Sequence, residues 1–469
     1  MAIDTIGTNA IANDAVTAAK IPDGAVDADL GAVHSVISVK GTIINSIATT
    51  LTIEIGGKFA SSVNVKYYEG STLVATDSSR TVTNGTLTST VPSAVYGQSV
   101  GDTIAIKIES GSSLSANSVD KTVITAPSGG TITTSGDYRI HSFTSSGTFT
   151  IAANTLLKNI EYLVIGGGGG AGHHINGGFY SDSSGGGGAG GYRCSVPGET
   201  SGGGLSAEAP IPFMTPGAYN CQVGAGGAKG TQTSAAAAAG VPSVFGGATI
   251  ASSDLGSANC EYGFFYGSAQ YQTQSPSLTG SLPIHSFGGG GSPNSSIGNQ
   301  GPHKIGGAGG SGGGTSHMYG STIGASVSAS GQGFSGGGVS DNNTQLGSGG
   351  GGAGGAALTV SSSNRTAAAT LNGGVGVSSS ITGSAVLRGG GGAAGGSAQG
   401  GSSSTGGTAV AGGGNGGNSS VAGSNGTANT GGGGGGAGST GSAQELASGN
   451  GGSGIIIIRY KLNEVDNFL

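Results

Sequence analysis

The sequence predicts a mostly β chain with almost no α-helix. We expect an N-terminal arm, a β-sandwich, and a glycine-rich domain of polyglycine II and β-structure closed by its paired first and last strands. Three observations predict this: alternating apolar and polar residues near the start, recurring glycine tracts, and two apolar, β-prone runs that bracket the tracts. Average proteins carry about 7% glycine and about 25% charged residues. Here 105 of 469 residues are glycine and only 8% are charged.

The first 34 residues predict an arm that docks to a virion. Small apolar residues alternate with Asp and Asn, and the segment is too short and too weakly apolar to bury a core by itself. It needs a partner surface or sister chains, and a disordered arm is the alternative. The opening residues lack the basic and apolar regions of a signal peptide. The residues expected to dock are Ile11, Val16, Ile21, Val26 and Leu30.

Residues 35–125 predict the β-sandwich. Strict period-two alternation indicates half-buried antiparallel strands, and Asn84-Gly85 between Thr-rich runs is a type I′ hairpin signal. Short strands at about ten-residue spacing over about 90 residues are typical of a sandwich. The architecture resembles immunoglobulin-like modules common on phage virions. The segment lacks the Cys and Trp of antibody domains, so the resemblance is architectural only. The alternating positions are Leu51, Ile53, Ile55, Val63, Val65, Tyr67, Ile104, Ile106 and Ile108.

Residues 126–462 predict one glycine-rich domain, followed by a C-terminal tail at 463–469. Its linker is 126–130, and its outer strands are Ile160–Ile165 and Ile455–Ile458. A flexible linker has no reason to be closed by a matched pair of apolar strands. We therefore expect these two strands to pair.

The glycine tracts predict a packed body. Ordered glycine loses the most backbone entropy and buries no side chain, so hydrogen bonds between close-packed chains must compensate. Polyglycine II allows this, because its N–H and C=O groups point outward with three residues per turn. Disorder is the alternative; the bracketing strands and the spaced Val410 and Val421 in the charge-free stretch 389–444 argue against it. The tracts are 166–170, 185–191, 224–230, 288–291, 306–314, 331–338, 347–355, 389–396, 412–417 and 431–438.

Catalytic and cofactor signatures are weak or missing, so we expect no enzyme activity, no cofactor and no metal. The net charge of −6 gives no footprint for nucleic acid, and Gly-x-Gly-x-x-Gly matches are uninformative in so glycine-rich a chain. P-loop, His-Glu-x-x-His and Cys-x-x-Cys patterns do not occur. Carboxylates are sparse and unclustered beyond residue 126. The adjacent His173 and His174 predict exposed loop residues rather than a metal site.

Several motifs together resemble the glycine-rich domain of phage tail-fibre and receptor-binding proteins. They are GTFTI at 147–151, IEYLVIGGGGGAG at 160–172, GGGGAGGY at 185–192, TPGAYNCQVGAGG at 215–227 and GGSGIIIIRY at 451–460. The start, NDAVTAAKIPDGAV at 13–26, resembles arms of tail-fibre proteins.

That resemblance implies a virion structural protein made in the host cytoplasm, either a tail fibre or its tip. Its implied partners are other tail proteins and a bacterial surface glycan or outer-membrane protein, and it implies a homo-oligomer, a trimer at least through the arm. The alternative is a passive virion decoration protein. A glycine-rich ice-binding protein is a remote third class, because it gives no reason for the arm and the sandwich.

Aromatic residues in the long segments between tracts are the candidate receptor contacts. Recognition surfaces favour Tyr and other rigid aromatics with polar neighbours. Phe264 and Phe265 are as well explained by filling gaps beside the sheet. The segments are about 171–184, 252–286 and 315–322, and the candidates are Phe179, Tyr180, Tyr262, Tyr266, Tyr271 and Tyr319.

Overall fold

The chain forms two compact units, with the boundary between Thr125 and Ala126. We call the first the sandwich unit and the second the glycine unit. The structure is a computed structural model. Among its described residues the fold is mostly β, and helix α1 (Ser93–Tyr96) has only four residues. Among the described residues, no helix is long and apolar enough to cross a membrane. The described residues are 34–173, 183–231, 236–247, 282–294, 305–316, 325–340, 345–398, 402, 405–439 and 446–467.

Two sheets form the sandwich unit. One has the order β1-β3-β6 and the other β2-β9-β7-β4-β5, with β8 beside β7. The strands are β1 (His34–Lys40), β2 (Ile43–Ile44), β3 (Thr50–Gly57), β4 (Ser62–Glu69), β5 (Thr72–Thr81), β6 (Thr86–Thr90), β7 (Thr103–Ser110), β8 (Ser113–Leu114) and β9 (Val119–Ile124).

The alternating residues of the sandwich unit form one core, as predicted. Strand β3 contributes Leu51, Ile53 and Ile55 from one sheet, and β4 and β7 contribute their alternating residues from the other. All nine alternating positions are buried. Period two therefore identified the inward face of each of these strands.

The predicted turn at Asn84-Gly85 forms, but the strands on either side of it, β5 and β6, do not pair with each other as a hairpin. Asn84 and Gly85 have φ of 50° and 73°, and Thr83 pairs with Thr86 across them. Strand β5 then pairs with β4, whereas β6 pairs with β3 in the other sheet. The tight turn therefore carries the chain from one sheet to the other.

The glycine unit contains a second β-sandwich and a separate two-stranded sheet, β19-β20. The larger sheet of this sandwich has the order β10-β11-β21-β13-β14, with β15 and β22 paired to the first part of β13; its smaller sheet has the order β12-β16-β17-β18. The strands are β10 (Thr131–Ser135), β11 (Tyr138–Phe143), β12 (Gly147–Ile151), β13 (Thr155–Ile165), β14 (Tyr192–Cys194), β15 (Ile211–Met214), β16 (Gly217–Gln222), β17 (Ser243–Phe245), β18 (Ile284–Ser286), β19 (Val377–Ser379), β20 (Val386–Arg388), β21 (Ile455–Lys461) and β22 (Val465–Asn467).

The predicted pairing of the outer strands is confirmed. Strand β21 lies between β11 and β13, with Ile455 opposite Ile165 and Ile458 opposite Tyr162. Strand β21 follows the glycine tracts in sequence but is central in the sheet, so the sheet is complete only when β21 is in place. Residues 465–467, predicted to be part of a tail, form β22 and pair with β13.

Strand β21 is buried on both faces. On one face Ile455 and Ile457 pack with Ile381, which lies between the hairpin strands β19 and β20. On the other face the Tyr460 ring stacks on His141, with 5.7 Å between ring centroids. Phe149 from the smaller sheet packs edge-on against the same His141 at 4.9 Å. Apolar burial on both sides thus holds the strand in place.

Six strands of this second sandwich are continued by extended segments that pack together as a bundle. Most of these segments are glycine tracts, whereas 236–242 is mainly alanine, and we call all six of them tracts. Each strand fixes the position and direction of one tract. The continuations are β13 into 166–171, β16 into 224–230 and β18 into 287–294, and, arriving from the other direction, 185–191 into β14, 236–242 into β17 and 446–454 into β21.

The central tract, 166–171, is hydrogen-bonded to six surrounding tracts in a three-residue rotation. Donor and acceptor atoms are 2.8 to 3.1 Å apart. Residues three apart share a neighbour, as three residues per turn requires. Its N–H groups donate to Gly191, Val241, Gly452, Gly188, Ala238 and Gly449 in turn, and Gly289, Gly227, Gly434, Ser292 and Gly230 donate to its carbonyls from Gly167 onward.

Close packing makes glycine necessary in this tract. A Cβ added at any residue from Gly166 to Gly170 would lie within 3.0 Å of a backbone carbonyl of a neighbouring tract. The packed polyglycine body is confirmed for the described tracts. Val410 and Val421 take part through their backbone carbonyls, which accept the N–H groups of Gly413 and Gly438, whereas the two residues are 48% and 49% exposed.

Asparagine side chains complete the hydrogen bonding of the outer tracts. Their Oδ1 atoms accept backbone N–H groups of the adjacent tract at 2.7 to 3.0 Å. An amide oxygen thus takes the place of a backbone carbonyl. The pairs are Asn372 with Thr408, Asn415 with Ala409, Asn418 with Gly406, Asn425 with Asn450, and Asn450 with Lys229.

Candidate functional site

The structure places none of the predicted contact residues. The six aromatic candidates and the five docking residues all lie outside the described residues. What the structure does place are the residues on either side of those segments, and these define the candidate site.

The chain repeatedly leaves and re-enters the described bundle at the end farthest from the sheets, which we call the distal end. Tracts that run away from the sheets end there, and the tracts that follow run back. The flanking pairs are 173 and 183, 231 and 236, 294 and 305, 316 and 325, 340 and 345, 398 and 405 (with residue 402 between), and 439 and 446.

Polar side chains tie these flanking residues together. Asn294 Oδ1 accepts the N–H of His173 at 2.7 Å, and its Nδ2 donates to the carbonyl of Thr231 at 2.9 Å. Ser316 Oγ accepts the N–H of Gly185 at 3.1 Å and donates to the carbonyl of Pro293 at 2.6 Å. Asn294 and Ser316, which we call the caps, each join three tracts. The distal end is therefore a cross-linked platform.

Segment 248–281 leaves from the opposite end. It follows β17 and precedes β18, so its flanking residues 247 and 282 lie beside the sheets. The candidates Phe179, Tyr180 and Tyr319 belong to distal segments, whereas Tyr262, Tyr266 and Tyr271 belong to 248–281. The attachment points of the two groups are separated by the tract length, more than about 20 Å for seven residues.

A buried ion pair fixes the sheet end of the bundle. Arg193 Nε donates to both Glu208 oxygens at 2.9 and 3.1 Å, and Tyr162 Oη donates to the same carboxylate at 2.7 Å. The two charged side chains are 5% and 1% exposed. Burial, and then the Glu208 charge, raise the pKa of Tyr162, so it remains a donor. The pair anchors the segment between β14 and β15 to the central sheet.

A family model for a glycine-rich domain matches residues 144–461. The chain belongs to this glycine-rich domain family. The match begins just after β11 and ends with β21, so it covers the bundle and most of its β-sandwich base. No curated protein and no solved structure matches the chain.

The described part of the glycine-rich domain presents few groups suited to catalysis. Burial raises the pKa of the Cys194 and Cys221 thiols to about 12, which keeps them protonated at neutral pH. Burial lowers the pKa of His141 to about 4, and its ring is enclosed. No group of three metal-ligating side chains occurs among these residues. The prediction that His173 is exposed was wrong, because the structure buries it; His174 lies outside the described residues. A shallow cleft of about 380 Å³ is lined by residues 129–131 and 142–148, none of them charged.

Two functional features of the domain were missed from sequence. Charged residues are rare beyond residue 126, and this could have indicated the Arg193–Glu208 pair. An arginine in a strand that is buried needs a carboxylate partner, because an unpaired buried charge is costly. The asparagine contacts between the outer tracts had a weaker signal, because Asn interrupts several glycine tracts.

Proposed function

We propose that the chain is a virion tail-fibre or fibre-tip protein that binds a receptor on the host-cell surface through segments carried at the distal end. The observation that carries this proposal is the convergence of seven pairs of flanking residues on one end of the bundle. The resemblance of the strand-to-tract motifs to phage receptor-binding proteins supports it.

The scaffold suits a recognition role. Binding residues are disproportionately found on loops positioned by a rigid framework, and here each tract is held on several sides by backbone hydrogen bonds. The caps at Asn294 and Ser316 hold the attachment points themselves. Changes within a distal segment therefore leave the packing of the bundle intact. A bacterial surface glycan or outer-membrane protein is the proposed receptor.

The remaining partners are also proposals. The arm predicted over residues 1–34, of which His34 belongs to β1, would dock the chain to other tail proteins, through Ile11, Val16, Ile21, Val26 and Leu30. It would also bring sister chains together as a trimer. The protein would reside in the virion and would not act as an enzyme; the protonated thiols and the uncharged cleft support that proposal.

Alanine replacements of the aromatic candidates test the proposal. We expect Tyr180→Ala with Tyr319→Ala to reduce adsorption of particles to host cells by about tenfold or more. Truncating an aromatic anchor typically loses about 2 kcal/mol, and about 1.4 kcal/mol is tenfold in affinity. Adsorption rates of particles carrying the variant measure this, with thermal unfolding as the check on folding.

Tyr266→Ala with Tyr271→Ala is the matched control, because segment 248–281 leaves from the sheet end. We expect it to adsorb like the wild type. Loss of adsorption in the control alone would move the receptor contact to the sheet end. Full adsorption by both variants would overturn the adhesin proposal and favour a passive decoration protein.

A further inference from the structure

Asn-Gly pairs are the positions of this chain most prone to spontaneous deamidation. The glycine backbone nitrogen attacks Asn Cγ, an N–C bond forms, and the side-chain amide leaves as ammonia. Water then opens the cyclic imide to aspartate or isoaspartate. Glycine has no side chain to hinder the attack. The pairs begin at Asn84, Asn372, Asn415, Asn425 and Asn450 among the described residues, and at Asn176 outside them.

The four pairs in the glycine bundle are closed to this reaction by two contacts each. In Asn425-Gly426, Asn425 Oδ1 accepts the N–H of Asn450 at 2.8 Å, and the N–H of Gly426 donates to the carbonyl of Asn450 at 2.8 Å. Asn425 and Gly426 thus both hydrogen-bond to the same residue of the adjacent tract, Asn450. Cyclisation requires the Gly N–H to leave its acceptor, because this nitrogen is the nucleophile. It also requires the Asn side chain to turn out of the orientation that its Oδ1 contact holds, so that Cγ can reach the nitrogen.

The other three bundle pairs repeat the arrangement. Each Asn Oδ1 accepts a backbone N–H at 2.7 or 2.8 Å, and each following Gly N–H donates to the same adjacent tract at 2.9 to 3.3 Å. We call the four bundle pairs, each with its two contacts, the Asn-Gly clips. The partners are Thr408 for both atoms of Asn372-Gly373, Ala409 and Gly407 for Asn415-Gly416, and Lys229 and Gly227 for Asn450-Gly451.

Asn84-Gly85 in the sandwich unit is open. Asn84 is exposed at the tip of the turn between the two sheets. Its side chain makes no hydrogen bond with the described residues, and neither does the N–H of Gly85; only the Gly85 carbonyl is used, by the N–H of Ile55 at 2.8 Å. The attacking nitrogen and the amide carbon are therefore unrestrained by partners.

We propose that Asn84 is the site of spontaneous deamidation in the folded protein and that the clips deamidate only when the bundle opens. An isoaspartate at a clip adds one methylene to the main chain and removes the amide that completes the contact. The three-residue register cannot then be restored. Transient opening of the bundle edge is thereby converted into permanent damage, whereas reaction at Asn84 leaves the bundle intact.

Peptide mapping by mass spectrometry after incubation in mildly alkaline buffer tests this. The native protein is compared with the same protein held in urea, and conversion of amide to acid is followed at each pair. We expect Asn84 to react at similar rates in both. The clips should react at least about tenfold more slowly in the native protein. Their deamidation needs local opening of the bundle, and only a small fraction of the molecules is open at any time.

Two variants sharpen the result. Asn84→Gln should remove the first product that appears and leave the clip rates unchanged. Gly433→Ala, which loosens the bundle, should speed the clips and not Asn84. Clips that react in the native protein at their rate in urea, or an Asn84 slower than the clips, would overturn the proposal.

Discussion

Replacing Gly433 by alanine should lower the free energy of unfolding of the glycine-rich domain by about 2–6 kcal/mol. A Cβ at this position would lie within 3.0 Å of the carbonyl oxygen of Gly187. The N–H of Gly433 donates to Gly390 at 3.0 Å, and its carbonyl accepts from Gly414 at 2.8 Å. Overpacking costs about 1–3 kcal/mol, and each hydrogen bond that is lost costs about 0.5–1.5 kcal/mol. Denaturant unfolding measures the change.

Gly355→Ala is the matched control. Gly355 also lies in a glycine tract, but its added Cβ would meet only the side chain of Val375 closely, and that side chain is 53% exposed and free to turn away. Alanine also lowers the entropy of the unfolded chain, by about 0.4–1 kcal/mol. We therefore expect Gly355→Ala to be neutral or slightly stabilising. Equal effects of the two substitutions would contradict the packed bundle.

Glu208→Gln should destabilise the same domain by about 3–5 kcal/mol, because it leaves the Arg193 guanidinium buried without its counter-charge. The substitution keeps the shape of the side chain, so the loss measures the charge. The reading is the unfolding free energy at neutral pH.

Asp466→Asn provides the comparison for this pair. Its partner Lys158 lies at a similar distance, 2.5 Å, but the two side chains are 45% and 34% exposed, so we expect a change of only about 0–1 kcal/mol. Arg193→Met combined with Glu208→Leu should recover much of the loss from Glu208→Gln, because no unpaired charge remains buried. A cost of Glu208→Gln no larger than that of Asp466→Asn would show that the pair does not anchor the fold.

Local patterns were sufficient to predict much of the fold. Alternation of apolar and polar residues identified the buried faces of β3, β4 and β7. Successive side chains of a strand point to opposite faces of the sheet, and here one face lies in the core and the other meets solvent. The pairing of β13 with β21 was predicted because they are two apolar, β-prone runs, one on each side of the glycine tracts, and each needs a partner strand. The glycine tracts predicted polyglycine II because no other ordered state suits residues without side chains.

The neighbours of each tract could not be predicted from sequence. Glycine tracts are nearly interchangeable, so the sequence does not indicate that 166–171 contacts 446–454 or 224–230. The structure settles this through the strands, since each tract continues a strand whose place in a sheet is fixed by apolar pairing. The asparagine contacts between the outer tracts were missed for the same reason, because the partner of Asn415 is known only once the adjacent tract is known.

The two ends of the bundle were likewise not distinguishable from sequence. The candidate aromatics looked like one set, yet their segments attach at opposite ends, because 248–281 joins β17 to β18. The recognition residues remain a prediction.

Hydrogen exchange of single backbone amides in the native protein tests most directly whether the glycine tracts form a hydrogen-bonded bundle. The outer tract 421–427 is the sharpest probe. The N–H groups of Gly423 and Ser424 donate to neighbouring tracts at 3.0 and 2.9 Å, whereas those of Ala422 and Asn425 have no partner among the described residues. The bundle predicts fast exchange at Ala422 and Asn425 between slowly exchanging neighbours, and slow exchange throughout 166–171. Uniformly fast exchange across both tracts would contradict it.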